Sequence, residues 1–356
     1  MNSVLQCLVH TPSLNAYLRK RTHSKRCSKR GSAVPFCIGC KLEELALRTF
    51  TPGTGPFAPR EIANSLQLIA RGFRLGRMED AHEYMRYLLE ALTKVFFNLV
   101  DRPPDQSNRY TFLQQCFQGS LQSQIRCLTC QHDSNTVDPF LDLSLELHAP
   151  RAGTCASITK AMVLFTQEEY LDGDNRYHCE RCRKLVRARK QLSIASAPRF
   201  LTVHLKRFSF GSCMFGSGKI SSHVAFDSEW DVTRFMSKQQ AHAPTTRYQL
   251  YAVLVHEGSS TNSGHYYCYV RALAPPAGNA VGSGSRWFCV NDAVARAVPE
   301  SQVLAASAYM LFYKQLPSEP ANGGSTLAAP VTDKTPASTT ANASNGDGTI
   351  SFIGPQ

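Results

Sequence analysis

Two Cys-x2-Cys pairs, Cys127-x2-Cys130 and Cys179-x2-Cys182, are separated by 48 residues in this chain. Each pair can present two thiolates at a turn, and two such turns close a tetrahedral zinc site, so the fold must carry both turns to one point. The flanks of both pairs are strand-like and polar, unlike those of cysteines packed in a core. Four thiolates leave no open position for water, which makes the expected Zn2+ structural. The plainer reading is two unrelated pairs in a thiol-rich chain.

A second cluster, His23-x3-Cys27 followed by Cys37-x2-Cys40, supplies one imidazole and three thiols within eighteen residues. That is also a full zinc ligand set. The segment has little apolar content to fold around, and a metal would order a loop this basic. The competing reading is a flexible loop carrying free thiols.

The chain has 356 residues, 43% of them hydrophobic, enough for a sizeable core and about two domains on length alone. Thirteen cysteines form an odd set with no secretory signal at the start, so reduced thiols in cytoplasm or nucleus are expected. No stretch approaches the roughly eighteen apolar residues of a membrane span, and no membrane partner is expected. The net charge of +12 is concentrated in Arg19 to Arg30 and Arg181 to Lys190. Such runs suit phosphates, acidic proteins or nuclear targeting, or are simply solvated. Neither has the aromatic interleaving of a single-strand binding face, so nucleic acid is a poor expectation.

Residues 1 to about 100 read as helical. Ala81, Tyr84, Met85, Leu88, Leu89, Leu92 and Phe96 recur at three- and four-residue spacing, and Glu79 and Asp80 suit the positive end of that helix. Thr51-Pro-Gly-Thr-Gly-Pro is a loop before it. From Phe112 the texture changes to strands, with Leu201, Val203 and Leu205 alternating with Thr202, His204 and Lys206 as on a strand with two different faces. Similar runs at 248–256, 265–271, 286–290 and 309–313 predict a sheet, chiefly antiparallel, and hence an α+β fold. The division expected is a helical part over 1–100, a strand-rich part over 101–315, and a tail over 316–356 too poor in large apolar residues to order. No internal repeat is evident.

Chemistry concentrates near the end of the strand-rich part. Asn262-Ser-Gly-His-Tyr-Tyr-Cys-Tyr offers His265 as an imidazole able to take a thiol proton, and Trp287-Phe-Cys-Val-Asn-Asp offers Asn291 or Asp292 to hold the ring in the needed tautomer. These segments resemble the His box of the ubiquitin-specific proteases. In order along the chain, four more agree: Met1-Asn-Ser-Val-Leu-Gln-Cys-Leu, Met78-Glu-Asp-Ala-His-Glu-Tyr, Phe117-Gln-Gly-Ser-Leu leading into Cys127-Leu-Thr-Cys, and Thr202-Val-His-Leu-Lys-Arg-Phe.

The resemblance implies a papain-like cysteine protease fold with a helical thumb, an antiparallel β palm and zinc-bearing β fingers. It implies hydrolysis of isopeptide bonds at the ubiquitin C-terminus, with ubiquitin and ubiquitinated proteins as partners. His265 would be the base and Asn291 the third triad member, while Asp292 would support the oxyanion region or replace Asn291. Gly258 and Gly264 would let the backbone approach the narrow Gly-Gly tail of ubiquitin, or else punctuate a turn. His223, His242 and His256 read as surface or strand residues without a catalytic claim.

Two departures matter. The family motif Gly-Asn-Thr-Cys-Phe-Met-Asn-Ser is entered here at its Met, so the nucleophile position falls two residues before Met1, and the oxyanion-stabilising Asn is earlier still. Cys7 lies a turn and a half into the first helix, away from the helix N-terminus that would lower its pKa. The polypeptide as written is therefore expected to bind ubiquitin without turnover, as a truncated form of an active enzyme. The alternatives are a non-catalytic ubiquitin-binding scaffold and a basic zinc protein that binds nucleic acid. Met78 stands where the family commonly carries Gln, which removes a polar contact expected near the ubiquitin tail.

Overall fold

The structure, a computed structural model, describes residues 1–27, 36–97, 110–149, 153–208, 218–238, 245–260, 263–273 and 286–317. Asn262, His242, part of the first basic run and nearly all of the expected tail lie outside the described residues.

Helices lead. They are α1 (Asn2–Val9), α2 (Pro12–Arg19), α3 (Thr22–Arg26), α4 (Ile38–Thr49), α5 (Arg60–Asn64), α6 (Leu66–Ile69), α7 (Ala81–Phe97) and α8 (Phe112–Phe117). Every residue of α1 from Ser3 to Val9 is buried, as expected of a helix apolar nearly all round. Pro12 opens α2, where its missing N–H costs nothing. The stripe expected on α7 is buried from Ala81 to Phe96, and Asp80 Oδ1 caps the helix by accepting Glu83 N–H at 2.9 Å. Two differences stand out. The loop at Thr51 leads into α5 and α6 rather than directly to α7, and Phe112 begins a helix instead of a strand. A capping box between Thr111 and Gln114 decides the second case by satisfying the backbone donors of α8.

The strands and two remaining helices follow as β1 (Gly119–Cys127), β2 (Asp133–Phe140), β3 (Leu143–Glu146), β4 (His148–Ala149), β5 (Gly153–Thr154), α9 (Ile158–Phe165), β6 (Glu169–Leu171), β7 (Tyr177–Cys179), β8 (Lys184–Val186), β9 (Ala188–Ser196), β10 (Phe200–Lys206), β11 (Glu229–Asp231), β12 (Arg247–Glu257), β13 (His265–Arg271), β14 (Trp287–Asn291), β15 (Val294–Val298), α10 (Glu300–Leu304) and β16 (Ala308–Gln315). The main sheet runs β15-β14-β13-β12-β16-β10-β3, with β11 added to β12, and only β3 and β10 pair in parallel. A second antiparallel sheet, β2-β1-β9-β6, forms the fingers.

The main sheet is a middle layer. On β12, Ala252 and Leu254 join the core shared with α1, α4 and α7, while Val253 and Val255 join the core shared with α9. Strand β16 divides the same way, Met310 and Phe312 against Leu311 and Tyr313. The strand at Leu201 is thus buried on both faces, contrary to the two-faced expectation: Thr202 is buried as well, and His204 meets Ser144 Oγ and stacks on His82. Around the fingertip cysteines the buried apolar set shrinks to Cys127, Cys179 and Val186.

Candidate active site and metal centres

Strands β12 and β13 form a hairpin in which Glu257 pairs with His265, so His265 is the first residue of its strand. The turn is built around its glycines. A Cβ at Gly264 would lie 2.2 Å from His256 Nε2 and 2.5 Å from Glu257 O, and one at Gly258, where φ is 142°, would lie 2.6 Å from Ser263 O. These glycines are required by the hairpin itself. His256, read as a surface or strand residue, is a strand residue of β12, 2% exposed and packed between Tyr266 and Phe208. His223 sits exposed, with its ring against Leu304 O at 3.0 Å.

His265 Nε2 lies 2.6 Å from Asn291 Oδ1. An amide oxygen can only accept, so Nε2 carries the ring proton and Nδ1 keeps its lone pair, the tautomer a general base needs. Asp292 Oδ2 is farther away, at 3.6 Å. It occupies the two-residue turn between β14 and β15 with a left-handed backbone, φ 52°, which Asp tolerates. Of the two candidate orienting residues, Asn291 makes the hydrogen bond.

The first turn of α1 faces this pair. Ser3 Oγ donates to Tyr266 O at 3.0 Å, and Met1, Ser3, Met78, Asp80, His265 and Asp292 line one cleft of about 290 Å³. Cys7 is elsewhere: it is fully buried, and burial together with a hydrogen bond to Cys268 raises its thiol well above the usual range. No described cysteine hydrogen-bonds His265.

Both expected metal clusters assemble. At the fingertip Cys127 Sγ lies 3.9 Å from Cys182 Sγ, and Cys130 Sγ lies 3.7 Å from Cys179 Sγ. A tetrahedron with Zn–S bonds of about 2.3 Å has sulfur–sulfur edges of about 3.8 Å, whereas a disulfide needs about 2.05 Å. The N–H groups of Cys130 and Cys182 point back at Cys127 and Cys179 sulfur, the knuckle geometry that stabilises thiolates. His23, Cys27, Cys37 and Cys40 gather in the thumb, their ligand atoms within 4.8 Å of one another.

The profile of the family described as "Ubiquitin carboxyl-terminal hydrolase" matches residues 1–313. The chain belongs to this family. It is 37% identical to ubiquitin carboxyl-terminal hydrolase 25 of Arabidopsis thaliana over 90% of its own length and 46% of that protein. It is 41% identical to hydrolase 23 of the same plant, covering 88% of the chain and 34% of that protein. With human hydrolase 42 it shares 35% identity, covering 88% of the chain and 22% of that protein. The chain therefore spans less than half the length of these relatives. Among solved structures, the SAGA Ubp8/Sgf11/Sus1/Sgf73 DUB module bound to ubiquitin aldehyde matches with a TM-score of 0.73 at 26% identity, covering 90% of this chain and 68% of that one. A SAGA DUB module bound to monoubiquitin matches with a TM-score of 0.72 at 28% identity, covering 90% and 67%. The ubiquitin-specific protease resemblance and its mixed α+β fold hold.

The hydrolase domain also contains a polar network that pattern reading missed. His82 Nε2 donates to Asp142 Oδ2 at 2.9 Å, Ser144 Oγ donates to the same oxygen at 2.8 Å, and Ser144 Oγ also lies 2.9 Å from His204 Nδ1. The two imidazoles stack at 3.8 Å. Burial would push the Asp142 carboxyl up, but these hydrogen bonds hold it below its usual range. Burial, reinforced by His82, takes His204 down to about 3. His82 lies in the Met78 segment and His204 in the Thr202 segment, so the residue types were visible while their partners were not. Among the described residues no helix is long and apolar enough to cross a membrane.

Proposed function

We propose that this hydrolase domain cleaves isopeptide bonds at the ubiquitin C-terminus by Cys-His-Asn catalysis. The family motif that the chain enters at Met1 puts the nucleophile position two residues ahead of that Met. The observation that carries the reading is the hydrogen bond from His265 Nε2 to Asn291 Oδ1, made by a ring that lines the same cleft as the first turn of α1. His265 Nδ1 accepts the thiol proton, the thiolate attacks the carbonyl of ubiquitin's terminal glycine, and the imidazolium then protonates the departing lysine amine. Water hydrolyses the resulting thioester, again with His265 as base. Asn291 keeps the ring in the productive tautomer, and Asp292, with Oδ2 3.6 Å from His265 Nε2, supports the oxyanion region or can replace Asn291.

Cys127, Cys130, Cys179 and Cys182 fit a structural Zn2+ on their spacing, and the ion would brace a fingertip that has almost no apolar core of its own. The ubiquitin-bound solved relatives support ubiquitin as the partner. All twelve described cysteines are free, which suits a reducing compartment, cytoplasm or nucleus.

Because no described cysteine hydrogen-bonds His265, the polypeptide 1–356 binds ubiquitin without turnover. A ubiquitin vinyl-sulfone probe tests both statements. Residues 1–356 should form no covalent adduct while retaining ubiquitin affinity. The same chain prefixed with Cys-Phe should be labelled, and His265→Ala should abolish that labelling. Labelling of the unprefixed chain, or of the His265→Ala variant at the same rate, would refute the assignment.

A further inference from the structure

We infer that Lys219 is a positioning residue for His265, its ammonium holding the end of the β12–β13 hairpin from which that ring projects, a role that rests on His265 being the general base. Lys219 Nζ donates to His256 O and to Gly258 O at 2.7 Å each, the short distance of charge-assisted hydrogen bonds. Glu257, between those two carbonyls, is the residue paired with His265. His256 in turn pairs with Tyr266, whose carbonyl accepts the Ser3 hydroxyl of α1. One amine therefore grips the strand on both sides of the residue that faces the base.

The end of β12 needs such a group. Its other neighbour, β16, pairs with it only as far as Val255 and Ala308, so the residues from His256 onward have a partner strand on one side only. Backbone carbonyls without a ladder partner require another donor. An ammonium carries three N–H donors and can serve two carbonyls at once. The side chain of His256 does not substitute for it, because both of its ring nitrogens are buried with no hydrogen-bond partner among the described residues.

The lysine is itself fixed to the palm. Phe208 and Lys219 form an antiparallel bridge, and Ile220 N–H donates to Arg207 O at 2.8 Å. Arg207, 1% exposed, donates from Nη1 to Ile220 O and Ser222 O at 2.8 Å each and from Nε to Ala308 O at 2.6 Å. The hold thus runs from the main sheet through Lys219 to the hairpin, and its slack decides how His265 Nε2 meets Asn291 Oδ1 on β14. A displacement of the base by about 1 Å can cost about 10²-fold in rate.

Two variants test this in the Cys-Phe-prefixed protein with a ubiquitin amide substrate: Lys219→Met, which keeps the stem and removes the donors, and Lys219→Arg, which keeps charge and donors. Lys219→Met should lower kcat by about 10–100-fold with KM within about twofold of the parent, because only the placement of the base changes. Lys219→Arg should recover most of that loss. An unchanged kcat in Lys219→Met, equal losses in both variants, or a fall in kcat that merely tracks the fraction of unfolded protein overturns the role. In residues 1–356, amide hydrogen exchange at Glu257, Gly264 and His265 should rise by at least about tenfold in Lys219→Met while β10 keeps its protection. No rise there overturns the hold of Lys219 on the hairpin. That exchange measurement involves neither ubiquitin nor turnover, so an inactive prefixed parent would count against the hydrolase reading while the exchange still decides what Lys219 does.

Discussion

Tyr309 Oη donates to Asp80 Oδ2 at 2.5 Å, tying the last palm strand, β16, to the residue that caps α7 at the edge of the cleft. The hydroxyl is in a buried side chain, and burial together with the adjacent carboxylate raises its pKa above the ordinary phenol range. It therefore stays a donor. Tyr309→Phe should lower the free energy of unfolding by about 1.5–3 kcal/mol, the range for a hydrogen bond to a charged group. Urea denaturation measures this, and an unchanged midpoint would show that the bond contributes nothing net.

In the Cys-Phe-prefixed protein, His265→Ala should reduce kcat/KM on a ubiquitin amide substrate by about 10²–10⁴-fold, the usual contribution of a general base. Asn291→Ala should cost less, because it removes the orienting acceptor at 2.6 Å and leaves the base in place. Asn291→Asp should recover part of that loss. Equal losses for His265→Ala and Asn291→Ala would contradict the orienting role.

Gly264→Ala should destabilise the domain by more than about 2 kcal/mol, because its Cβ meets His256 Nε2 at 2.2 Å and Glu257 O at 2.5 Å. Adding His256→Ala should relieve only part of the cost, since the backbone oxygen remains. A double-mutant cycle by thermal unfolding reads the coupling. Strict additivity would mean that His256 does not shape this turn.

His10 and His256 are both buried, and burial lowers each imidazole from 6.5 to about 4. The folded state disfavours the imidazolium, so between about pH 6.5 and 4 the unfolded chain binds more protons. Stability should be full above pH 6.5 and should fall by about 2–3 kcal/mol per residue as the pH drops toward 4. Unfolding measured at several pH values checks the slope. His10→Gln, which keeps a donor for the Gln6 carbonyl now 2.8 Å from His10 Nδ1, should flatten it in part.

Stripping zinc with a strong chelator should raise hydrogen exchange in β7, β8 and the Cys127 end of β1, where the buried apolar set is only Cys127, Cys179 and Val186. The central strands β10 and β12, buried on both faces, should keep their protection. Uniform loss of protection would show that the fingers are not a separate metal-held unit.

Spacing along the chain determined a good deal. Residues that must share an ion or a helix face are tied to fixed separations, so the two Cys-x2-Cys pairs, the His23 cluster, the α7 stripe and strand β13 beginning at His265 could all be read without coordinates. Short-range order also misled where a local hydrogen bond outweighed texture, as in the capping box that makes a helix at Phe112. The resemblance already favoured Asn291 over Asp292, and the contact at His265 agrees with it, whereas tertiary structure alone decided that His256 is buried under Gly264 and that His82, Asp142, Ser144 and His204 form one network. Those outcomes depend on how strands and helices distant in sequence are brought into register, and side chains that meet across such distances leave no periodic trace in a single chain.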